Sequence, residues 1–328
     1  MRRILTLLAL VCLCTGATGS QRLKVGLVLG GGGAKGAAEV GVLKSIEEAG
    51  IPIDYIAGTS IGSIIGGLYA NGYRAATLDS LFRSQEWLDL LGDRKQRHRA
   101  KPIAKEEGVT YVFGYPVSRK KKHDNTSGPG VFHGDNIMEF LDSLIEFCDS
   151  TNFDSLAIPF RCVATDAKSR TEVVLDRGKL SQAMRASMAI PGAYKPVAIG
   201  PYVLYDGGLL NNLPVDVALE MGADVVIAID LTQNKHETRD FDLREATGIG
   251  GLLNWVVSRP DLKKYNENVK RADVYINPQL KGYSATSFNG DKISEMIAIG
   301  EAAGKARLKT LKKLRKLIYK GVKPQHPL

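Results

Sequence analysis

Three short segments of this 328-residue chain carry groups that could make and break an acyl bond. Ser60 sits in Gly58-Thr59-Ser60-Ile61-Gly62, after the strand-like run Ile53-Asp54-Tyr55-Ile56-Ala57. Beyond it, Ile64, Ile65, Gly66, Leu68 and Tyr69 read as a helix. A serine on a strand-to-helix turn projects its hydroxyl outward, and flanking glycines tolerate a strained backbone packed closely on its neighbours. A helix starting there aims its unpaired N–H groups and positive dipole end at charge developing beside the serine. A Gly-x-Ser-x-Gly pentad is a common accident in a chain with 35 glycines, and the strand–turn–helix frame is what gives it meaning. Ser60 is the candidate nucleophile.

Upstream, Gly30-Gly31-Gly32-Gly33-Ala34-Lys35-Gly36 joins the apolar run Val25–Leu29 to a helix pattern with Val40, Val42, Leu43 and Ile46 on one side. The run reads as a buried parallel strand. Glycines between strand and helix leave backbone N–H groups bare, so an anion or oxyanion can approach them. Gly31-x-Gly33-x-x-Gly36 also fits a dinucleotide fingerprint, with Asp54 about 20 residues on as a ribose ligand. Against that, Asp54 opens the second strand, whereas the ribose acid should close it. A phosphate loop of the Walker type fails because Lys35 is followed by Gly36. The oxyanion reading leads, with Gly31, Gly32, Gly33 and the N–H of Ile61 as donors; a purely structural glycine loop is the third reading.

The third segment is Tyr205-Asp206-Gly207-Gly208, after the apolar Tyr202-Val203-Leu204. Alone, Asp-Gly-Gly reads most simply as a hairpin turn. At a strand end in an α/β fold it is also where functional carboxylates sit. With the other two segments, Asp206 becomes the candidate general base for Ser60.

Taken in this order, the three segments resemble the patatin-like phospholipase family, and Arg185-Ala186-Ser187-Met188-Ala189-Ile190-Pro191-Gly192 resembles a fourth family segment. The resemblance runs from about Leu23 to the 270s. It implies a serine–aspartate dyad that cleaves lipid esters, on an α/β scaffold with a mostly parallel sheet flanked by helices in three layers. Lys35 stands where many members carry arginine, which keeps the charge but loses the planar fork. Gly36, Gly58, Gly62, Gly207 and Gly208 complete the motifs. In that dyad Asp206 takes the Ser60 proton, the oxyanion rests on Gly31–Gly33 and Ile61, and an acyl-serine forms before water releases the fatty acid. The five histidines, His98, His123, His133, His236 and His326, stand outside these motifs. His133, before Gly134-Asp135, is the one best placed for a triad, although a loop or helix-start role fits it better.

The surrounding chain must position these groups. With 44% hydrophobic and 24% charged residues it can bury one substantial core. Residues 1–20 read as a secretory signal peptide: Arg2 and Arg3, an apolar stretch from Ile4 to Cys14, then Gly16-Ala17-Thr18-Gly19-Ser20. Cys12 and Cys14 follow Val11 and Leu13, where a lipoprotein signal wants a small residue, which argues against a lipid anchor. The expectation is an exported protein, periplasmic or secreted, in which Cys148 and Cys162 either pair or leave Cys162 as a buried thiol. Residues 21–304 form the hydrolase domain, interrupted at about 94–134 by a basic insertion that reads as a lid over lipid or as a solvated loop. Ile137 to Phe147 reads as an amphipathic helix, and residues 159–166, Thr171–Leu175 and Ala223–Asp230 read as strands.

Residues 305–328 form a basic helix and tail. Between Lys305 and Lys320 there is no acidic residue, and Leu308, Leu311, Leu314, Leu317 and Ile318 make one stripe. That stripe suits a peripheral contact with an anionic membrane, or packing on the domain. The net charge of +9 does not point to nucleic acid, since no recognisable module accompanies it. No Cys/His cluster has metal-ligand spacing, and neither a metal nor another cofactor is expected. The expected partner is a phospholipid or lysophospholipid substrate. Two rival functions remain open at this level: a dinucleotide-binding oxidoreductase on Gly31, Gly33 and Gly36, and a catalytically silent lipid-binding module.

Overall fold

The computed structural model describes residues 22–93, 130–145, 151–233 and 262–328. The expected signal peptide, most of the basic insertion and Cys148 lie outside the described residues. Val25–Leu29 (β1) leads through a 3-10 turn at Gly33–Gly36 into Ala37–Ala49 (α1). Tyr55–Thr59 (β2) leads through Ser60 into Ile61–Ala70 (α2), followed by Ala75–Ser84 (α3) and Trp87–Leu91 (α4). Asp135–Leu144 (α5) precedes Phe160–Asp166 (β3), Glu172–Leu175 (β4) and Leu180–Ser187 (α6). Val197–Ile199 (β5) and Tyr202–Asp206 (β6) are followed by Val215–Glu220 (α7) and Val225–Ile229 (β7). Leu262–Arg271 (α8), Val274–Ile276 (β8) and Gly290–Tyr319 (α9) follow.

These strands form one sheet in the order β8-β7-β1-β2-β3-β6-β5, with β4 also paired to β3, and two separate two-stranded pairs join Gly130–Phe132 to Gly192–Tyr194 and Thr151–Asn152 to Arg177–Gly178. From β8 to β3 every pairing is parallel, and the β3–β6, β6–β5 and β3–β4 pairings are antiparallel. Strand side chains alternate between faces, so a sheet covered on both sides reads as a continuous apolar run. On β1 and β7, Val25, Leu27, Leu29, Val225, Ile227 and Ile229 join the core that holds α1, α2 and α9. Val28, Val226 and Ala228 join a second core with Leu213, Val215, Ala218 and Tyr265 from α7 and α8 and the loop before α7. Three layers result, as the family resemblance implied.

The helix expected at Ile137–Phe147 runs from Asp135 to Leu144, and two other boundaries differ from the sequence reading in ways that bear on the site. The strand expected at Ile53–Ala57 runs from Tyr55 to Thr59, because Asp54 is held at its foot by Arg22 at 2.6 Å and by the Val25 N–H at 2.9 Å. The helix expected from Lys305 is the second half of α9, unbroken from Gly290, so no boundary falls at 304. Its apolar stripe does not face outward. Leu311, Leu314 and Ile318 are fully buried, and Leu308 packs against the same core. Earlier along α9 the crossing with α1 is backbone to backbone. A Cβ on Gly300 would lie 2.0 Å from the Ala38 carbonyl oxygen, and one on Gly41 2.2 Å from that of Ile297.

Candidate active site

Ser60 has φ +55°, a region that non-glycine residues rarely occupy and that costs about 1–3 kcal/mol. Its neighbours over-determine that shape. The Ser60 N–H donates to Ser187 Oγ at 2.8 Å, and Ser187 Oγ donates in turn to the Val163 carbonyl at 2.5 Å. The Ser60 carbonyl accepts the Ser63 hydroxyl at 2.6 Å and the Ser63 N–H at 2.9 Å. Gly58 and Gly62 are required by close approach. A Cβ on Gly58 would lie 2.5 Å from the Gly62 carbonyl oxygen, and one on Gly62 2.3 Å from that of Leu29.

β3 brings Asp206 to this turn. Val163 on β3 pairs with Thr59, the last residue of β2, and the next residue, Ala164, pairs with Asp206, the last residue of β6. Residues 162–165 of β3 also pair with β4, so β2 and β6 share the opposite edge, end to end. Asp206 thus takes the place along β3 that Ser60 would have filled had β2 continued. The Ser60 hydroxyl donates to Asp206 Oδ2 at 2.8 Å, and the Gly208 N–H donates to Asp206 Oδ1 at 2.7 Å. Asp206 caps a 3-10 turn here, so Asp206-Gly207-Gly208 is not the hairpin turn that the segment alone suggested. Burial pushes its carboxyl up to about 7, against the downward pull of the Gly208 and Ser60 hydrogen bonds. Such a carboxylate can accept a proton near neutral pH, the range in which a general base is most useful.

The glycine loop contributes less uniformly than its sequence suggests. Gly31 does not present a bare N–H: it donates to the Asn212 carbonyl at 3.1 Å. Among the described residues Gly32 and Gly33 have no acceptor for theirs, and Ile61, first in α2, has no helical carbonyl to take its own. Gly33 has φ +57° and leaves no room for a side chain, since a Cβ would lie 2.4 Å from the Ala285 carbonyl oxygen. Gly36 packs against the Ile61 side chain, where a Cβ would come within 2.3 Å of Cγ1. A Cβ on Gly207 would lie 2.3 Å from the Val163 carbonyl oxygen. The Lys35 ammonium is buried; that burial lowers its pKa, and the nearby charge of Asp230 raises it in part.

Gly33, Ser60 and Ile61 open onto a cavity of about 410 Å³. Its other walls are mainly apolar, with Ile64, Trp87, Phe132, Ile190, Tyr194 and Phe288 among them. Arg185, unassigned at the sequence level, braces one wall. It donates to the carbonyls of His133 at 2.8 Å and Lys195 at 3.1 Å, and its guanidinium lies 4.7 Å above the Tyr194 ring. Ser187 and Thr59 were also unassigned, and the Thr59 hydroxyl donates to the Asn211 carbonyl at 2.8 Å. Residue type and spacing tie neither Arg185 nor Ser187 to Ser60. Only the fourth family-like segment, which contains Arg185 and Ser187, offered a signal.

Other sequence candidates fall away from the site. Asp54, the proposed ribose ligand, is engaged at the amino end of β2, while the glycine loop lies at the carboxyl end of β1. His133 and His326 are exposed and neither reaches Ser60; His98, His123 and His236 lie outside the described residues. Cys162 is a buried free thiol that donates to the Ala183 carbonyl at 3.2 Å, and burial pushes its pKa up to about 12. Among the described residues no group of His, Cys, Asp and Glu is placed to hold a metal ion.

Comparison with known proteins bears on the same region. Residues 27–219 match the family described as Patatin-like phospholipase. A protein of Aspergillus fumigatus named Lysophospholipase nte1 is 34% identical over 314 residues, 88% of this chain and 18% of that protein. The Homo sapiens protein named Patatin-like phospholipase domain-containing protein 6 is 37% identical over 307 residues, 86% of this chain and 20% of that one. The chain thus spans about a fifth of the length of these relatives. Among solved structures, VipD from Legionella pneumophila aligns with a TM-score of 0.50 at 15% identity, covering 90% of this chain and 67% of its own, a likeness of fold.

Proposed function

This chain belongs to the patatin-like phospholipase family, and from that premise we propose that it hydrolyses carboxylic esters of phospholipids or lysophospholipids through an acyl-serine on Ser60. The observation that carries this reading is the 2.8 Å hydrogen bond from the Ser60 hydroxyl to a buried Asp206 beside an apolar cavity. Asp206 accepts the proton as Ser60 Oγ attacks the ester carbonyl carbon. The carbonyl electron pair moves onto oxygen, where the N–H groups of Gly32, Gly33 and Ile61 stabilise it. Collapse breaks the ester C–O bond, and the departing alcohol takes the proton held by Asp206. Water then attacks the acyl-serine and yields its proton to Asp206. A second collapse releases the fatty acid, and the proton returns to Ser60.

The substrate class follows from the cavity and from the relatives. Its apolar walls suit one acyl chain with the ester carbonyl at Ser60, and the name Lysophospholipase attached to the fungal relative accords with a single-chain substrate. Export is part of the proposal and rests on the sequence of residues 1–20. So is peripheral membrane contact, which on this reading comes mainly from the lysines and arginines of α9, because Leu308, Leu311, Leu314 and Ile318 are occupied in the core.

The test is fluorophosphonate labelling of the purified protein beside Ser60→Ala and Asp206→Asn, with fatty-acid release from mixed phospholipids and lysophospholipids followed in parallel. Labelling and release in the wild type, with turnover lost in both folded variants and labelling lost in Ser60→Ala, is the expected result. Turnover that survives Ser60→Ala refutes the mechanism. A folded wild type that neither labels nor turns over indicates the silent lipid-binding rival.

A further inference from the structure

The loop that follows Asp206 holds the glycine loop through the main chain and side chain of Asn212. Asn212 is 2% exposed and meets Gly31 twice: its main-chain carbonyl accepts the Gly31 N–H at 3.1 Å, and its side-chain Nδ2 donates to the Gly31 carbonyl at 3.2 Å. The residue before it is fixed to the serine turn, since the Thr59 hydroxyl donates to the Asn211 carbonyl. A segment only a few residues beyond the base therefore grips both the strand that leads into Ser60 and the loop that faces it. The fit is close. A Cβ on Gly31 would lie 2.2 Å from Asn212 Oδ1 and 3.2 Å from Ser60 Cβ.

These contacts have a directional consequence. The carbonyl of Gly31 and the N–H of Gly32 belong to one trans peptide unit, in which they point in opposite directions. An amide that holds the Gly31 carbonyl therefore holds the Gly32 N–H facing away from Asn212. Glycine has no Cβ to resist rotation of this peptide, so the orientation of the Gly32 donor depends on what its other end is bonded to. We propose that Asn212 is a positioning residue for ester hydrolysis: by clamping Gly31 it pre-orients the Gly32 N–H as an oxyanion donor and ties that orientation to the loop carrying Asp206. Oxyanion stabilisation needs donors set before charge develops, and losing one donor lowers the rate by about 10²–10³-fold.

This inference rests on the hydrolase reading, and the test separates the two. Wild type, Asn212→Ala and the near-isosteric Asn212→Asp are compared in kcat and KM for a soluble fatty-acyl ester. Inhibition by an alkyl trifluoromethyl ketone, which adds to serine as a tetrahedral oxyanion, and by the matching unreactive alkyl alcohol is measured alongside, with thermal melting as the check on folding. The expected result is a kcat lower by about 10²-fold with KM within about threefold, as a lost oxyanion donor predicts. Ketone affinity falls in step with kcat, and alcohol affinity is unchanged. A merely structural lesion would move melting and both inhibitors together. Folded variants that keep wild-type kcat and ketone affinity overturn the inference and leave the hydrolase reading intact. If neither variant folds, Asn212 belongs to the scaffold and the inference fails. A wild type without turnover or ketone inhibition overturns the hydrolase reading, and this inference with it.

Discussion

The buried Asp206 carboxyl makes the proposed base a pH-dependent burden on the fold. Its pKa is about 7 in the folded protein against 3.8 for an unperturbed aspartate, burial being the main cause. Between those values the unfolded chain has released a proton that the folded protein keeps, so unfolding releases a proton and stability falls as pH rises. The stabilisation is complete below the unfolded pKa and gone above the folded one. Each pH unit in that window changes stability by about 1.4 kcal/mol, which gives about 4 kcal/mol in all and nearly 3 kcal/mol between pH 5 and 8. Asp206→Asn keeps the shape: its amide oxygen can still accept the Gly208 N–H, and its NH₂ can donate to Ser60 Oγ. Every other carboxylate titrates alike in both proteins, so the difference in unfolding free energy isolates this one group. Denaturant unfolding of wild type and variant from pH 5 to 8 should show the variant gaining about 3 kcal/mol on the wild type across the range. Wild-type kcat/KM should rise about tenfold per pH unit below 7 and level off above it, while the variant is inactive throughout. Unfolding curves whose difference is constant with pH would refute the claim that Asp206 is buried with a raised pKa.

Four further outcomes follow. Ser187→Ala leaves the Ser60 N–H and the Val163 carbonyl without their partner, which should lower stability by about 1–3 kcal/mol and kcat by about 10²-fold, read from denaturant unfolding and initial rates. Leu314→Ala should lower stability by about 2–5 kcal/mol while leaving sedimentation with anionic vesicles unchanged; the reverse pattern would return the α9 stripe to lipid. Lengthening the acyl chain of a soluble ester should raise kcat/KM by about fourfold per methylene until the cavity is filled, and a flat series would disconnect the cavity from the substrate. Replacing each of the five histidines by glutamine in turn should leave kcat within about threefold, whereas removal of a true triad base lowers it by orders of magnitude.

What could be read from the sequence was local. A serine between a strand and a helix, glycines that no side chain could replace beside Leu29 and Gly62, and an aspartate closing a short apolar run each depend on residues close in the chain. The continuous apolar runs at Val25–Leu29 and in the 220s were enough to imply strands buried on both faces. What escaped depends on partners far away in sequence. Gly31 looks as free as Gly32 until Asn212 arrives from another loop to occupy its N–H. Ser187 is an unremarkable helix-end serine until β3 sets it beside Ser60. Leucine spacing after Lys305 predicts a stripe but not what covers it. The answer lay partly in Gly41 and Gly300, which let α1 and α9 approach at backbone distance and bring that stripe onto the core.

On the proposed mechanism, the same long-range geometry explains why a dyad without histidine would suffice. In a triad, an imidazole stands between the serine and the carboxylate and hydrogen-bonds to both, so the two oxygens are held a ring's width apart. That spacing arises when the acid comes from a more distant strand or loop. Here β2 ends at Thr59, and β6 enters antiparallel along the same edge of β3, ending on Asp206 one pairing position beyond. The carboxylate is delivered at 2.8 Å from Ser60 Oγ, a distance that leaves no space for a ring. Burial then performs the task otherwise left to histidine. Moving an aspartate from its ordinary acidity to about 7 gives it the proton affinity of an imidazole without an imidazole's volume. The reversal of strand direction at β6 and the pKa of Asp206 are therefore two parts of one solution: the first brings the acid into contact with the serine, and the second makes that contact usable as a base.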